Sequence, residues 1–267
     1  MKTLRWIVPS AAALVLAAAV TQNALAKVSE TVNQVYDTSA HPTLRIDNVN
    51  GDLTVEGWDQ NRVEITAIKS AGDAEDLADL KVEMRKDGDD VVIHVKYPHE
   101  NNFWNHGHDG PGVNFTIKVP RGAGVHKAEF VNGDIDITNV VGDVNASSVN
   151  GQVSGQKLGG DVDLSTVNGG VELAATSNIK SISLNSVNGD IELTLPKKFD
   201  ARIEAGTIHG DIRAVDGLDV DATSFTGSSM SGVIGKGGMK VDLNTVNGSI
   251  RIRHEGEKAG KGDREAD

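Results

Sequence analysis

Through the second half of the chain, apolar and polar positions alternate, and an apolar residue followed by Asn-Gly interrupts them at a near-constant interval. The phrase reads Val131-Asn132-Gly133-Asp134-Ile135 and returns as Val149-Asn150-Gly151-Gln152-Val153, Val167-Asn168-Gly169-Gly170-Val171 and Val187-Asn188-Gly189-Asp190-Ile191. Later copies are Ile208-His209-Gly210-Asp211-Ile212 and Val246-Asn247-Gly248-Ser249-Ile250. The steps between successive Asn or His residues are 18, 18, 20 and 21, then 38. Ser231-Gly232-Val233 sits inside the long step and reads as a degraded copy. Val49-Asn50-Gly51-Asp52-Leu53 is an outlying copy, 82 residues ahead of Asn132. A period of about 20 residues marks a repeat architecture.

Asn-Gly between alternating apolar residues is ordinarily a hairpin signal. Folded that way, Val187 would face Asp190 on the outer, polar side, and the same misplacement would recur in every copy. A corner of roughly 90° without reversal instead lets Val187 and Ile191 both point inward while Asp190 points out. Asn and Gly tolerate the left-handed backbone angles that such a corner is expected to need. Stacked coils then place Asn over Asn, where amides can hydrogen-bond along the column, and Ser or Thr (148, 166, 186, 207, 245) in another. The expected fold is all-β, a parallel β-solenoid of the single-stranded β-helix type. Its expected hand is right-handed, as in most parallel crossovers; an antiparallel sandwich or barrel is the alternative.

The energetics explain the repetition. One coil buries four or five aliphatic side chains at about 1.5–3 kcal/mol each, while fixing its backbone costs about 1–2 kcal/mol per residue. No coil stands alone, so stability becomes a nearest-neighbour property. About seven coils at ~4.8 Å make a rod of roughly 30 Å.

Before the repeats the pattern is strand-like but less regular. Val63, Ile65 and Ala67 alternate, as do Val82 with Met84, Val91-Ile93-Val95 and Val113-Phe115-Ile117-Val119. Asp73 to Lys81 reads as one short helix with acids in its first turn, and Asp87-Gly88-Asp89 as a turn. The chain therefore divides into 1–26, a polar N-terminal segment at 27–41, a mostly antiparallel β region capping the rod at 42–125, the solenoid at 126–254 and a charged, disordered tail at 255–267.

Residues 1–26 have the makeup of a secretory signal peptide: Lys2 and Arg5, an apolar run from Trp6 to Val20, and Ala24-Leu25-Ala26 as the cleavage site. That run is too short to span a bilayer, so the expected product is exported, to the periplasm or cell exterior, without a transmembrane anchor. The chain has no cysteine and hence no lipidation site or disulfide. Its formal net charge is −12; removing Lys2 and Arg5 leaves 24 bases against 38 acids, or −14. That balance argues against nucleic acid and against anionic lipid as partners.

Candidate chemistry is sparse. His99, His106 and His108 lie on one loop, between Pro98 and Pro111, with Phe103 and Trp104; imidazoles suit Zn²⁺ or Cu²⁺, yet one loop without a second ligand cluster points to no metal site. Asp134 with Asp136, Asp161 with Asp163, Asp190, Asp211, and Asp219 with Asp221 supply carboxylates of the kind glycoside hydrolysis needs. They recur with the structural period and lack a partnering Arg or Lys cluster, so no catalytic residue is assigned. No nucleotide fingerprint, hydrolase elbow or β-roll calcium repeat is present, and no cofactor is expected.

The run from Leu44 through Val49-Asn50-Gly51 to Trp58, the Ile117-Lys118-Val119-Pro120 strand and the string of Ser/Thr-Val-Asn-Gly corners resemble the bacterial putative-adhesin β-strand-repeat family, a domain of unknown function. The resemblance covers residues 42–254 and implies a β-helical envelope or secreted protein with no established enzymatic activity. The His loop is not part of the family pattern. Together these readings give a non-catalytic, adhesin-like exported protein presenting an extended surface to an envelope protein, a glycan or a cationic peptide. Envelope-stress or antimicrobial-peptide sensing, a carbohydrate-active enzyme near Thr226–Gly238 and a metal module at the His loop are the alternatives. The corner residues Asn50, Gly51, Asn132, Gly133, Asn150, Gly151, Asn168, Gly169, Asn188, Gly189, His209, Gly210, Asn247 and Gly248 carry structure.

Overall fold

A computed structural model describes residues 27–97, 110–214, 220–221 and 227–256. The segments read from sequence as a signal peptide (1–26), a His loop (His99–His108) and a charged tail (beyond Gly256) lie outside them. In chain order, β1 (Val28–Asp37), β2 (Thr43–Asn50), β3 (Leu53–Trp58), β4 (Arg62–Ala71), the short α1 (Ala74–Asp79), β5 (Lys81–Asp87), β6 (Asp90–Lys96) and β7 (Gly112–Pro120) precede the regular repeats. These follow as β8 (Gly124–Asn132), β9 (Ile135–Thr138), β10 (Val144–Asn150), β11 (Val153–Asn168), β12 (Val171–Asn188) and β13 (Ile191–Leu195). The chain ends with β14 (Ala201–His209), β15 (Ile212–Arg213), β16 (Val220–Asp221), β17 (Ser228–Ile234), β18 (Met239–Asn247) and β19 (Ile250–His254). All 19 strands join in one mixed sheet. The fold is all-β and solenoid-like.

The chain does not reverse at Asn-Gly. β10 lies parallel to β8 and to β11, and β11 parallel to β12, with Asn132, Asn150, Asn168 and Asn188 in register. Because the side-chain period is two, in-register stacking keeps each apolar column on one side. Ala128, Ala146, Leu164, Leu184 and Leu243 form one such column along the core.

The order of coils departs from the order of copies. β18 pairs in parallel with β12 on one side and β14 on the other, and β19 likewise joins β13 to β15. Asn247 therefore stands between Asn188 and His209 in space, although it follows both in sequence. Ser231-Gly232-Val233 is not a degraded corner: it lies within β17, antiparallel to β14, with Gly232 opposite Ile203. The N-terminal end mirrors this arrangement. β2 and β3 form a coil between β6/β7 and β8/β9, all parallel. At this end the antiparallel pairings are those of the outermost strands, β5 against β6 and β1–β4–β7. The segment that reads as polar and unpatterned contains β1, whose apolar signal is weak because it pairs on one side only among the described residues.

The orientation at the corner also differs from the sequence reading. Val131, Val149, Val167 and Val187 are each 39% exposed and Ile208 is 50% exposed. The inward position belongs to the preceding residue: Ser148, Thr166, Ser186, Thr207 and Thr245 are buried. Strand alternation runs unbroken to the corner, so Leu184 and Ser186 face in and Val187 faces out. Nor do the corner Asn residues take left-handed angles; Asn139 and Lys157, away from the Asn-Gly corners, are the non-glycine residues with positive φ. Glycine is required by proximity. A Cβ on Gly151 would lie 2.0 Å from the Gly133 carbonyl oxygen, and one on Gly189 would lie 1.8 Å from that of Gly169.

Gly151→Ala is expected to destabilise the fold by about 1–3 kcal/mol or more, since backbone must move to admit the methyl group. Gly170→Ala, whose Cβ would meet nothing nearer than 3.4 Å, is expected to change stability by under ~0.5 kcal/mol. Urea unfolding of both variants measures the contrast.

Candidate functional site

The site is built from the corner outward. Each corner Gly carbonyl points along the rod at the next coil, into the space left by that coil's missing Cβ. There the buried hydroxyl meets it: Ser148 donates to Gly133 O at 2.9 Å, Thr166 to Gly151 O at 2.8 Å and Ser186 to Gly169 O at 3.0 Å. Thr245 to Gly189 O (2.9 Å) and Thr207 to Gly248 O (2.8 Å) repeat the bond across the inserted coil. A short hydroxyl is the right residue here, because an aliphatic side chain would leave the carbonyl unsatisfied.

On the outside, the Asn side chains form a ladder. Asn132 Nδ2 donates to Asn50 Oδ1 at 2.8 Å, Asn150 to Asn132 at 2.7 Å, Asn168 to Asn150 at 2.8 Å, Asn188 to Asn168 at 2.9 Å and Asn247 to Asn188 at 2.7 Å. The next corner position contributes His209, whose backbone carbonyl accepts from Gly248 N–H at 3.0 Å. At the other end the motif changes. Asn48 takes the hydroxyl's place and donates to Val113 O at 2.9 Å, while the Tyr97 hydroxyl donates to Asn48 Oδ1 at 2.5 Å and accepts from Asn50 N–H at 2.8 Å. Burial pushes the Tyr97 phenol up to about 12, outweighing the backbone hydrogen bonds from Asn50 and Val49. It stays neutral and can donate and accept at once.

The candidate carboxylates have structural work. Asp52 Oδ1 accepts from Asp134 N–H at 3.0 Å, Asp134 Oδ1 from Gln152 N–H at 2.7 Å and Asp190 Oδ1 from Ser249 N–H at 2.7 Å. Asp161 accepts from the Ser181 hydroxyl at 2.6 Å, and Asp136 is bonded by Ser154. Asp163 and Asp211 are exposed; Asp219 and the side chain of Asp221 fall outside the described residues. The expectation that no base partners the acids fails at Asp190. Arg251 Nη1 lies 2.8 Å from Asp190 and 3.5 Å from Glu192, and Arg253 Nη2 lies 2.8 Å from Glu192. These pairs fasten β19 to β13, and their separation of about 60 residues in the chain hides them from sequence. Among the described residues no group of three His, Cys, Asp or Glu could hold a metal.

What remains open to a partner is the outer face just before the corners. Val49, Val131, Val149, Val167 and Val187 line a groove of about 620 Å³ that crosses five coils. Beside them run Ser147, Ser165 and Asn185, with the ionisable Asp47, His94 and Glu129 at one end only. The sequence pattern contains this column, but reading the valines as inward concealed it.

The family described as Toastrack DUF4097 matches residues 43–253. No curated protein matches the chain. Among solved structures, a "putative cell adhesion protein" from Clostridium sporogenes is 14% identical, covers 84% of this chain and 100% of its own, and superposes with a TM-score of 0.51. A "putative adhesin" from Bacteroides fragilis is 14% identical over 83% of this chain and 96% of its own, with a TM-score of 0.43. The first supports the fold. Among the described residues no helix is long and apolar enough to cross a membrane.

Two outcomes follow from the corner. Thr166→Val removes a buried donor from Gly151 O and is expected to cost about 1–3 kcal/mol in thermal or urea unfolding. The second concerns pH. Burial would raise the Asp190 pKa, but the Ser249 N–H and the Arg251 guanidinium outweigh it and hold the carboxyl below its ordinary value. A depressed folded-state pKa adds stability that is present above the unfolded value of about 3.9 and lost as pH falls through the folded one. Asp190→Asn should therefore flatten the decline of Tm below about pH 4, and Arg251→Gln should do the same without adding to it.

Proposed function

The chain belongs to the Toastrack DUF4097 family, and on that footing we propose that it is a non-catalytic, exported binding module of the cell envelope, working through the valine groove. The observation that carries this reading is the groove itself: one outward-facing valine per coil, stacked in register, with Val131, Val149, Val167 and Val187 each 39% exposed. An exposed apolar patch of that continuity marks an interaction surface. Asp134, Asp136, Asp161 and Asp190 are each engaged by a backbone amide, a hydroxyl or an arginine, which favours binding over turnover. The solved neighbours named as adhesins agree with such a role, although a shared fold by itself carries no function. We take the winding to be right-handed, as for most parallel crossovers.

The middle coils of the groove present Val149, Val167, Ser147 and Ser165 and no charge, so the partner is selected by shape and aliphatic area. An extended segment of an envelope protein fits better than a cationic peptide, whose affinity would be strongly screened by salt. Binding of the purified protein to isolated cell envelopes, measured at low and high salt, tests this. Affinity should change less than about threefold with salt, and Val149→Glu or Val167→Glu should each weaken it by roughly tenfold, as about 1–2 kcal/mol of lost contact implies. Abolition by one such substitution in a folded protein would contradict a surface of many shallow contacts.

A further inference from the structure

Two strands bound the sheet at the N-terminal end of the rod, each paired on one side only among the described residues: β1 with β4, and β5 with β6. An open edge is a template for another strand, and proteins guard such edges with charge, proline or bulges. β5 is guarded. Its seven residues include Lys81, Glu83, Arg85, Lys86 and Asp87. β1 is guarded far less: its ten residues, Val28–Asp37, contain no Lys, Arg, Pro or Gly, and of its two acids Glu30 is paired with Lys69 while Asp37 ends the strand. Its pairing with β4 runs from Val28 opposite Ala71 to Asp37 opposite Arg62 without a shift, so no bulge twists the edge away. On its inner side Val32 and Tyr36 pack against the core yet remain partly exposed, and on its outer side Val35 is 47% exposed. The apolar rows of this wall stop at an edge that none of the described residues covers.

We propose that β1 pairs antiparallel with β1 of a second copy about a two-fold axis at Val32, joining two rods end to end through one continuous sheet. The sequence of the strand is self-complementary in that register. Val32 faces the partner's Val32, Val28 faces the partner's Tyr36, Glu30 faces the partner's Gln34 and Thr31 faces the partner's Asn33. No acid meets an acid, whereas sliding the register to bring Glu30 opposite the partner's Asp37 would pair like charges, which is unfavourable. The two-fold makes the contact isologous and closed, so it yields a dimer and not a fibre. The lysines and arginine on β5 keep the adjacent edge of each rod from pairing in the same way.

The absence of cysteine from the chain makes the test direct. Residues directly opposite on antiparallel strands have Cβ atoms about 4.5–5.5 Å apart, within reach of a disulfide after small adjustment. The protein is studied as the producing cell exports it. Light scattering of the unaltered protein should give a dimer mass that dissociates on dilution. Under mild oxidation Val32→Cys should link most of the chains into dimers, while Ser29→Cys, whose counterpart lies about 20 Å away along the strand, should link only slightly. Ser29→Cys combined with Val35→Cys should link efficiently, since the two face each other across the axis. Both side chains lie on the outer face, so this variant answers the question even if Val32→Cys does not fold. A monomer at all concentrations, assemblies larger than two, or equal linking of Ser29→Cys and Val32→Cys would each overturn the proposal.

Discussion

The direction of one carbonyl governs this molecule. At each corner the glycine C=O is turned along the rod, where strand pairing cannot satisfy it and where any side chain on the next coil would collide with it. Glycine in the next coil gives it room, and a buried Ser or Thr hydroxyl gives it a donor. Both requirements are met by the same four-residue phrase, so one coil's corner is complete only when another coil sits on it. The Asn ladder outside and the Gly N–H to Asn C=O bonds inside tighten the same joint.

That joint explains how the chain can place its first and last corner segments inside the stack. Residues 43–58 lie between the coils of β6/β7 and β8/β9, and residues 239–254 between those of β12/β13 and β14/β15. In an ordinary solenoid the last coil has one neighbour and frays first. Here the outermost parallel coils can leave only if long chain excursions part from segments locked on both faces. Contacts between residues 59 to 82 apart, such as Asn247 with Asn188 and Asn132 with Asn50, are then structural joints with the same hydrogen-bond geometry as those between adjacent repeats. Arg251 and Arg253 secure the inserted strand by charge, where register cannot be inherited from a short connection.

The same geometry creates the surface. With the hydroxyl residue held inward by its carbonyl, alternation forces the following Val or Ile out, once per coil. The exposed column is therefore a by-product of corner chemistry, and its spacing is that of the strands. A surface of this kind has length and regularity but no centre, which suits recognition spread over many contacts more than chemistry concentrated at one point.

The sequence by itself determined that the chain is all-β, that it turns at Asn-Gly, that equivalent residues stack, and that the acids are periodic. All of these are local statements, written in alternation and in a repeated phrase. Tertiary structure decided three things that local pattern cannot encode. Whether Ser186 or Val187 faces the core depends on a carbonyl from another coil, since hydropathy alone favours valine. The presence of β1 depends on pairing with β4, because an edge strand covered on one side has little apolar signal. The order of the coils depends on neither: each corner presents the same carbonyl, the same gap and the same hydroxyl, so any copy can stack on any other, and only the folded chain shows that Asn247 lies beside Asn188.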